Sequence, residues 1–192
     1  MPQITFIRSA RNGPGGIYED CKLSGPELSL VEELRDRLSD DINGWIASPT
    51  KRAAQTVAAI FGLSENGVPV VPALLPNPET GLGSEIIRCL ERFKKAPLGE
   101  HLQEDWSFAC WANYTTVAMD CVRDLMYEEK YSHTLIVCHR TLINALVYFL
   151  FLGQDHTDSL TRILKPCEGF HIDLEKSGLR GVGTPRLITP WH

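Results

Sequence analysis

TLIVCHRTLINAL, residues 134–146, is an apolar run that changes character at His139. Its first part, TLIVC, is continuously apolar, as a strand buried on both faces requires, and the stretch 141–152 that follows at once reads as a helix. The apolar part of that helix, 142–152, is too short to span a bilayer, and His139 and Arg140 stand just before it.

The same strand-then-helix alternation recurs outward from this point. ITFIR (4–8) is a β-rich run ending where polar and glycine-rich sequence begins, and NGPGG (12–16) is a loop by composition. Between 27 and 40, Leu30, Leu34 and Leu38 recur at helical spacing behind Pro26, a residue suited to a helix start. GWIAS (44–48) reads as a short buried strand stopped by Pro49. Lys51 to Phe61 puts Ala54, Val57, Ala58 and Phe61 on one helical face, with Gly62 as the stop. VPVV (68–71) is a further strand candidate, and 72–84 is a long Pro- and Gly-rich loop of the functional kind. Helices are expected around 85–95 and 105–128, and the tail offers strands GFHIDLE (169–175) and PRLIT (185–189). The expectation is one α/β domain over residues 1–192: three layers, α/β/α, around a mostly parallel sheet.

Bulk properties narrow the function. The chain has 192 residues, 43% hydrophobic and 22% charged, enough for a real core. A net charge of −5 argues against a general nucleic-acid binder but leaves room for a local anion pocket. Cys21, Cys89, Cys110, Cys121, Cys138 and Cys167 are scattered without a CxxC pair, the pattern of reduced thiols in a cytoplasmic protein. No signal peptide or membrane span is read from the sequence. His101, His133 and His156 lack ligand spacing, so no metal and no cofactor is expected. His171 is read as packing or surface, and Trp106 and Trp111 as core or pocket wall.

Ligands of α/β sheets bind beyond the carboxyl ends of the strands. That rule singles out Arg8–Ser9, Ser48 to Arg52, and His139–Arg140. Arg52 opens a helix, whose N–H groups and dipole favour negative charge. Two guanidiniums and an imidazole at one sheet edge would cradle phosphate, since Arg grips such oxygens in bidentate fashion. A single Arg or His at a strand end is usually a surface or structural residue, and none of these carries a function alone.

Their order does more. ITFIRSAR (4–11) resembles the opening of the histidine phosphatase superfamily, the phosphoglycerate-mutase-like proteins, in which a strand leads into Arg-His-Gly. LSGPELSLVEELRDRL (23–38) resembles the helix that follows, without the usual LTxxGxxQ spacing. IASPTKRAAQT (46–56) resembles the second motif, and TLIVCHRTLINAL the late strand-His-helix element. The resemblance implies a phosphomonoesterase acting on a small phosphorylated metabolite. In that family a neutral histidine attacks phosphorus, two arginines and a second histidine hold the phosphoryl oxygens, and a carboxylic acid protonates the leaving group. It assigns phosphate binding to Arg8, Arg52 and His139.

Two departures follow from the same comparison. Ser9 occupies the nucleophile's place and Ala10 that of the usual glycine; only His139 offers a base for the hydroxyl. LPNPETG (75–81) puts Asn77 where the family often has its glutamate, leaving Glu79 as the candidate acid and Glu85 as a weaker one. Ser9 is compatible with an introduced inactivation or with a natural relative that keeps only the pocket. Two further functions therefore stand beside the phosphatase: an isomerase or lyase gripping a carboxylate or phosphate substrate, and a pseudophosphatase binding a phosphorylated ligand or partner.

Overall fold

The computed structural model describes residues 1–10, 23–93, 96–151, 157–175 and 180–190. The expectations for Arg11, the 12–16 loop, Cys21 and His156 lie outside these residues. Five strands form one sheet: β1 (Gln3–Arg8), β2 (Gly44–Ala47), β3 (His133–Cys138), β4 (Gly169–Leu174) and β5 (Gly181–Ile188), in the spatial order β2-β3-β1-β4-β5. β1 and β2 each pair with β3 in parallel, whereas β4 is antiparallel to both β1 and β5. β4 alone therefore runs against the other four, and the sheet is mixed but mostly of one direction.

The helices of the described residues are α1 (Gly25–Arg35), α2 (Lys51–Phe61), α3 (Gly81–Phe93), α4 (Leu98–His101), α5 (Asp105–Glu128), α6 (Arg140–Leu150) and α7 (Thr157–Thr161). Side chains alternate across a strand, and the sheet uses both faces. Ile4, Phe6, Ile46 and Ile136 pack with residues of α3, α5 and α6. Ile7, Ala47, Leu135 and Val137 pack with residues of α1 and α2. This is the three-layer arrangement, and it explains why β3 reads as an unbroken apolar run: all six of its residues are buried.

VPVV is not a full strand. Val70 makes one parallel bridge to Ala47, and a 3₁₀ turn begins at Pro72. Pro69 and Pro72 have no N–H to give a ladder, so pairing stops after a single step. Gly62 ends α2 with φ +67°, the left-handed geometry a helix stop uses.

Gly169 brings β4 against the end of β1. A Cβ added there would stand 1.7 Å from the Phe6 carbonyl oxygen, so the segment before it can lie over Arg8 only because the side chain is missing. Gly169→Ala is expected to cost roughly 1–3 kcal/mol or more of unfolding free energy, the range for forced overpacking. Urea unfolding checks it, and unchanged stability would show that this approach is not tight.

Candidate active site

β1, β3 and β2 lie side by side in parallel, so their carboxyl ends share one edge. Arg8 stands opposite Cys138 and Ala47 opposite Val137, which puts Ser9, His139 and Ser48 next in line. Backbone bonds continue this alignment past the strands: Ser9 N–H donates to the Cys138 carbonyl (3.3 Å), and Ser48 N–H to the Val137 carbonyl (2.9 Å). Ala10 N–H donates to Thr56 Oγ1 (3.1 Å), whose hydroxyl donates to the Arg52 carbonyl (2.7 Å). The turn after β1 is thus tied to the first turn of α2.

Arg8 is held by the segment preceding β4. Its N–H donates to the Glu168 carbonyl (2.8 Å), its own carbonyl accepts from Cys167 N–H (3.0 Å), and Nη1 donates to the Leu164 carbonyl. Burial, with Arg140 and Arg52 nearby, pushes the Arg8 guanidinium from 12.5 down to about 10, while Glu168 opposes the shift. Even so the group stays charged at neutral pH. Glu168 is itself buried. Its carboxylate accepts from Lys165 N–H (2.8 Å) and lies 3.7 Å from the Arg162 guanidinium.

His139 occupies the N-cap of α6, and Thr141 N–H donates to its Nδ1 (3.4 Å). Burial, then Arg140, Arg52, Arg8 and His101, push its pKa from 6.5 down to about 3. The ring is therefore neutral, and with Nδ1 accepting, its proton sits on Nε2. The charges of Arg52 and Arg140 act on both Arg8 and the neutral His139 at one sheet edge, next to the N-termini of α2 and α6. Such a concentration of positive charge is unfavourable in itself and is relieved by an anion.

Arg140 was named only as His139's neighbour, yet as the first residue of α6 it occupies the position that made Arg52 a candidate in α2. In the sequence Glu168 carries no signal, and His101 stands out only as a histidine without ligand spacing.

The acid candidates lie in different surroundings. Asn77 and Glu79 are exposed in a turn where Asn77 Oδ1 accepts from Glu79 N–H (2.9 Å), just before Thr80 Oγ1 caps α3 by accepting from Gly83 N–H (3.0 Å). Glu85 pairs with Arg88 (2.5 Å), which lies over the Trp106 ring at 4.4 Å. Trp111 is buried in the core. His171 and His133 are buried too, both bonded to Thr5 Oγ1, at 3.0 and 2.9 Å. Among the described residues no His, Cys, Asp and Glu cluster could hold a metal ion, and no helix is long and apolar enough to cross a membrane.

No protein-family model matches the chain, and no curated protein does. Solved structures do resemble it over nearly its whole length. The alpha-ribazole phosphatase from Shigella flexneri is 17% identical, with 97% of this chain and 96% of that chain covered and a TM-score of 0.61. The phosphoserine phosphatase from Entamoeba histolytica, in complex with 3-phosphoglyceric acid, is 16% identical, with 98% and 96% covered and a TM-score of 0.64. A histidine-to-alanine mutant of the latter, in complex with phosphoserine, gives 16%, 98% and 96%, and 0.58.

Proposed function

We propose that this chain, which has the phosphoglycerate-mutase-like fold of the histidine phosphatase superfamily, carries a phosphomonoesterase-type site for a small phosphorylated metabolite, with phosphoryl transfer blocked or altered by Ser9. The observation that carries this reading is the parallel alignment of β1, β3 and β2, whose carboxyl ends lead into Arg8–Ser9, into His139–Arg140 and into Ser48 with the helix that Arg52 helps to open.

Each group has a task in it. The guanidiniums grip the phosphoryl oxygens in bidentate fashion. His139 donates from Nε2 to one oxygen, since its Nδ1 is already used. The N–H groups opening α2 and α6 add partial positive charge. Three guanidiniums supply concentrated positive charge, suited to a phosphate dianion. Glu79 is the proposed source of the leaving-group proton. Its turn follows the bridge at Ala47, where the chain departs from the carboxyl end of β2.

Ser9 favours a second reading, binding without turnover. In the neighbouring fold, a protein that has lost a histidine is still found with phosphoserine. A third possibility, an isomerase or lyase, would use the same cations on a carboxylate.

The test is calorimetry with inorganic phosphate and with sulfate. Arg52→Ala is expected to weaken both by roughly 1.5–3 kcal/mol, the range for hydrogen bonds to charged groups. Equal binding by the variant and the unaltered chain would remove the site from this edge.

A further inference from the structure

One short segment, Leu164 to Glu168, holds Arg8 at both its backbone and its guanidinium. The Arg8 N–H donates to the Glu168 carbonyl (2.8 Å), the Arg8 carbonyl accepts from Cys167 N–H (3.0 Å), and Nη1 donates to the Leu164 carbonyl. An arginine side chain has many rotamers, and its planar fork grips an anion in bidentate fashion only when that plane is held. Whatever fixes the Leu164 carbonyl therefore sets the aim of the guanidinium.

The segment is a closed turn. In Lys165-Pro166-Cys167-Glu168 the second residue is proline, and Glu168 N–H donates to the Lys165 carbonyl (3.0 Å). Cys167 has φ +61°, as a type II turn requires at its third position, where glycine or asparagine is usual. Its thiol is fully buried with Ile7, Ala47 and Val137, so packing holds the backbone in this costly conformation. Strain of this kind persists where the surroundings over-determine it, and it gathers at functional sites. The side chain of Glu168 then closes the turn a second time. Its buried Oε2 accepts from Lys165 N–H (2.8 Å), while Oε1 lies 3.7 Å from the Arg162 guanidinium. The start of the segment is tied as well, because Asn144 Nδ2 of α6 donates to the Arg162 carbonyl (2.7 Å).

We propose that Glu168 is a positioning residue for the anion site: by closing the Lys165–Glu168 turn, its carboxylate fixes the Leu164 carbonyl and, through it, the aim of the Arg8 guanidinium. The proposal rests on the anion-site reading and names what orients one of its arginines. A carboxylate so near an anion site is otherwise a poor choice, because its charge opposes the anion. Its close contact is to a backbone N–H, which needs only an oxygen at the right reach. Reach, then, is what the site uses, and charge is tolerated. Binding groups held by such supporting bonds keep their productive geometry, and small losses of that geometry cost affinity.

Two conservative variants separate reach from charge. Glu168→Gln keeps an oxygen at the same reach and removes the charge, whereas Glu168→Asp keeps the charge and is one methylene shorter. Inorganic phosphate is the calorimetric probe at pH 7.5, with thermal melting recorded for each form. Glu168→Asp is expected to bind phosphate about tenfold more weakly, the equivalent of one charge-assisted hydrogen bond lost by the arginine. Glu168→Gln is expected to stay within about threefold of the unaltered chain. A carboxylate acting by charge alone would give tighter binding in Glu168→Gln and no change in Glu168→Asp. One that only stabilised the fold would lower the melting temperature of Glu168→Asp and leave phosphate affinity unchanged. Either pattern overturns the proposal, and so does an equal loss of affinity in both variants, since the amide should rescue. If the unaltered chain does not bind phosphate, the anion-site reading fails and takes this proposal with it. Phosphate binding that is the same in all the forms removes the role of Glu168 alone.

Discussion

With Ser9 in place the chain is expected to turn over phosphate monoesters negligibly and to accumulate no acid-labile phosphoenzyme, and Ser9→His is expected to raise the rate by at least about 100-fold. A serine carries its oxygen on Cβ, so the reacting atom sits ångströms short of where an imidazole Nε2 would stand. Misplacements of that order already cost about 100-fold. The hydroxyl must also lose a proton, and no base to take it is evident among the described residues. His139 is the residue that the sequence offers for the task. Its Nδ1 accepts from Thr141 N–H, its Nε2 bears the ring proton, and its pKa is pushed down to about 3. It is built to donate. Burial first, and then the three guanidiniums that would steady the phosphoryl group, make His139 so poor a base. Single-turnover chemistry with an activated aryl phosphate separates the possibilities, because that leaving group needs little protonation. Fast hydrolysis by the Ser9 form would mean the nucleophile lies elsewhere. Failure of Ser9→His on this substrate, with phosphate still bound, would mean a pocket repurposed away from phosphoryl transfer.

What the sequence made legible follows from how each feature is encoded. β1, β2 and β3 were readable because burial on two faces forces continuous apolar runs. Each ends at a polar residue, which marked Arg8, Ser48 and His139. β5 was found only from Pro185 onward. Its first residues, GVGT, are largely exposed and carry no apolar pattern. α4 is a single turn behind Pro97, too short to show a period. VPVV has strand composition, but its prolines break the ladder, a point that composition alone underweights. Glu168 and His101 belong to a different kind of information. The first reaches Arg8 across the β1–β4 pairing and the second reaches His139 across helix packing. Neither spacing appears in any local window, so only the assembled sheet and helices reveal them.

The same charges give the fold an acid limit. In the folded chain His139 is held down to about 3 and His101 to about 4, from 6.5. Both are lowered, so the native state prefers the neutral rings, and below about pH 6.5 the unfolded chain binds more protons than the folded one. Stability is therefore fully present above the unfolded pKa and is lost as pH falls toward the folded values. The slope is up to about 1.4 kcal/mol per pH unit for each ring. At pH ~5 each has removed about 2 kcal/mol, and together about 4, a large share of the 5–15 kcal/mol typical of a domain. His171, lowered mainly by burial, and the Asp41 carboxyl, lowered by its bonds to Ser39 and His133, push in the same direction. Urea unfolding at pH 7.5 and 5.0 measures the loss, and His101→Leu should remove about half of the part due to the two rings. Equal stability at the two pH values would show that neither ring is held neutral. Sulfate adds the functional arm of this experiment. Burial lowers His139 most, and the arginines add to it; an anion among Arg8, Arg52 and Arg140 cancels the arginines' part, so the pKa of His139 rises in the complex. Protonation then strengthens anion binding rather than opposing it, and sulfate should protect the fold more at pH 5.0 than at pH 7.5. A protection that does not change with pH would separate His139 from the anion site.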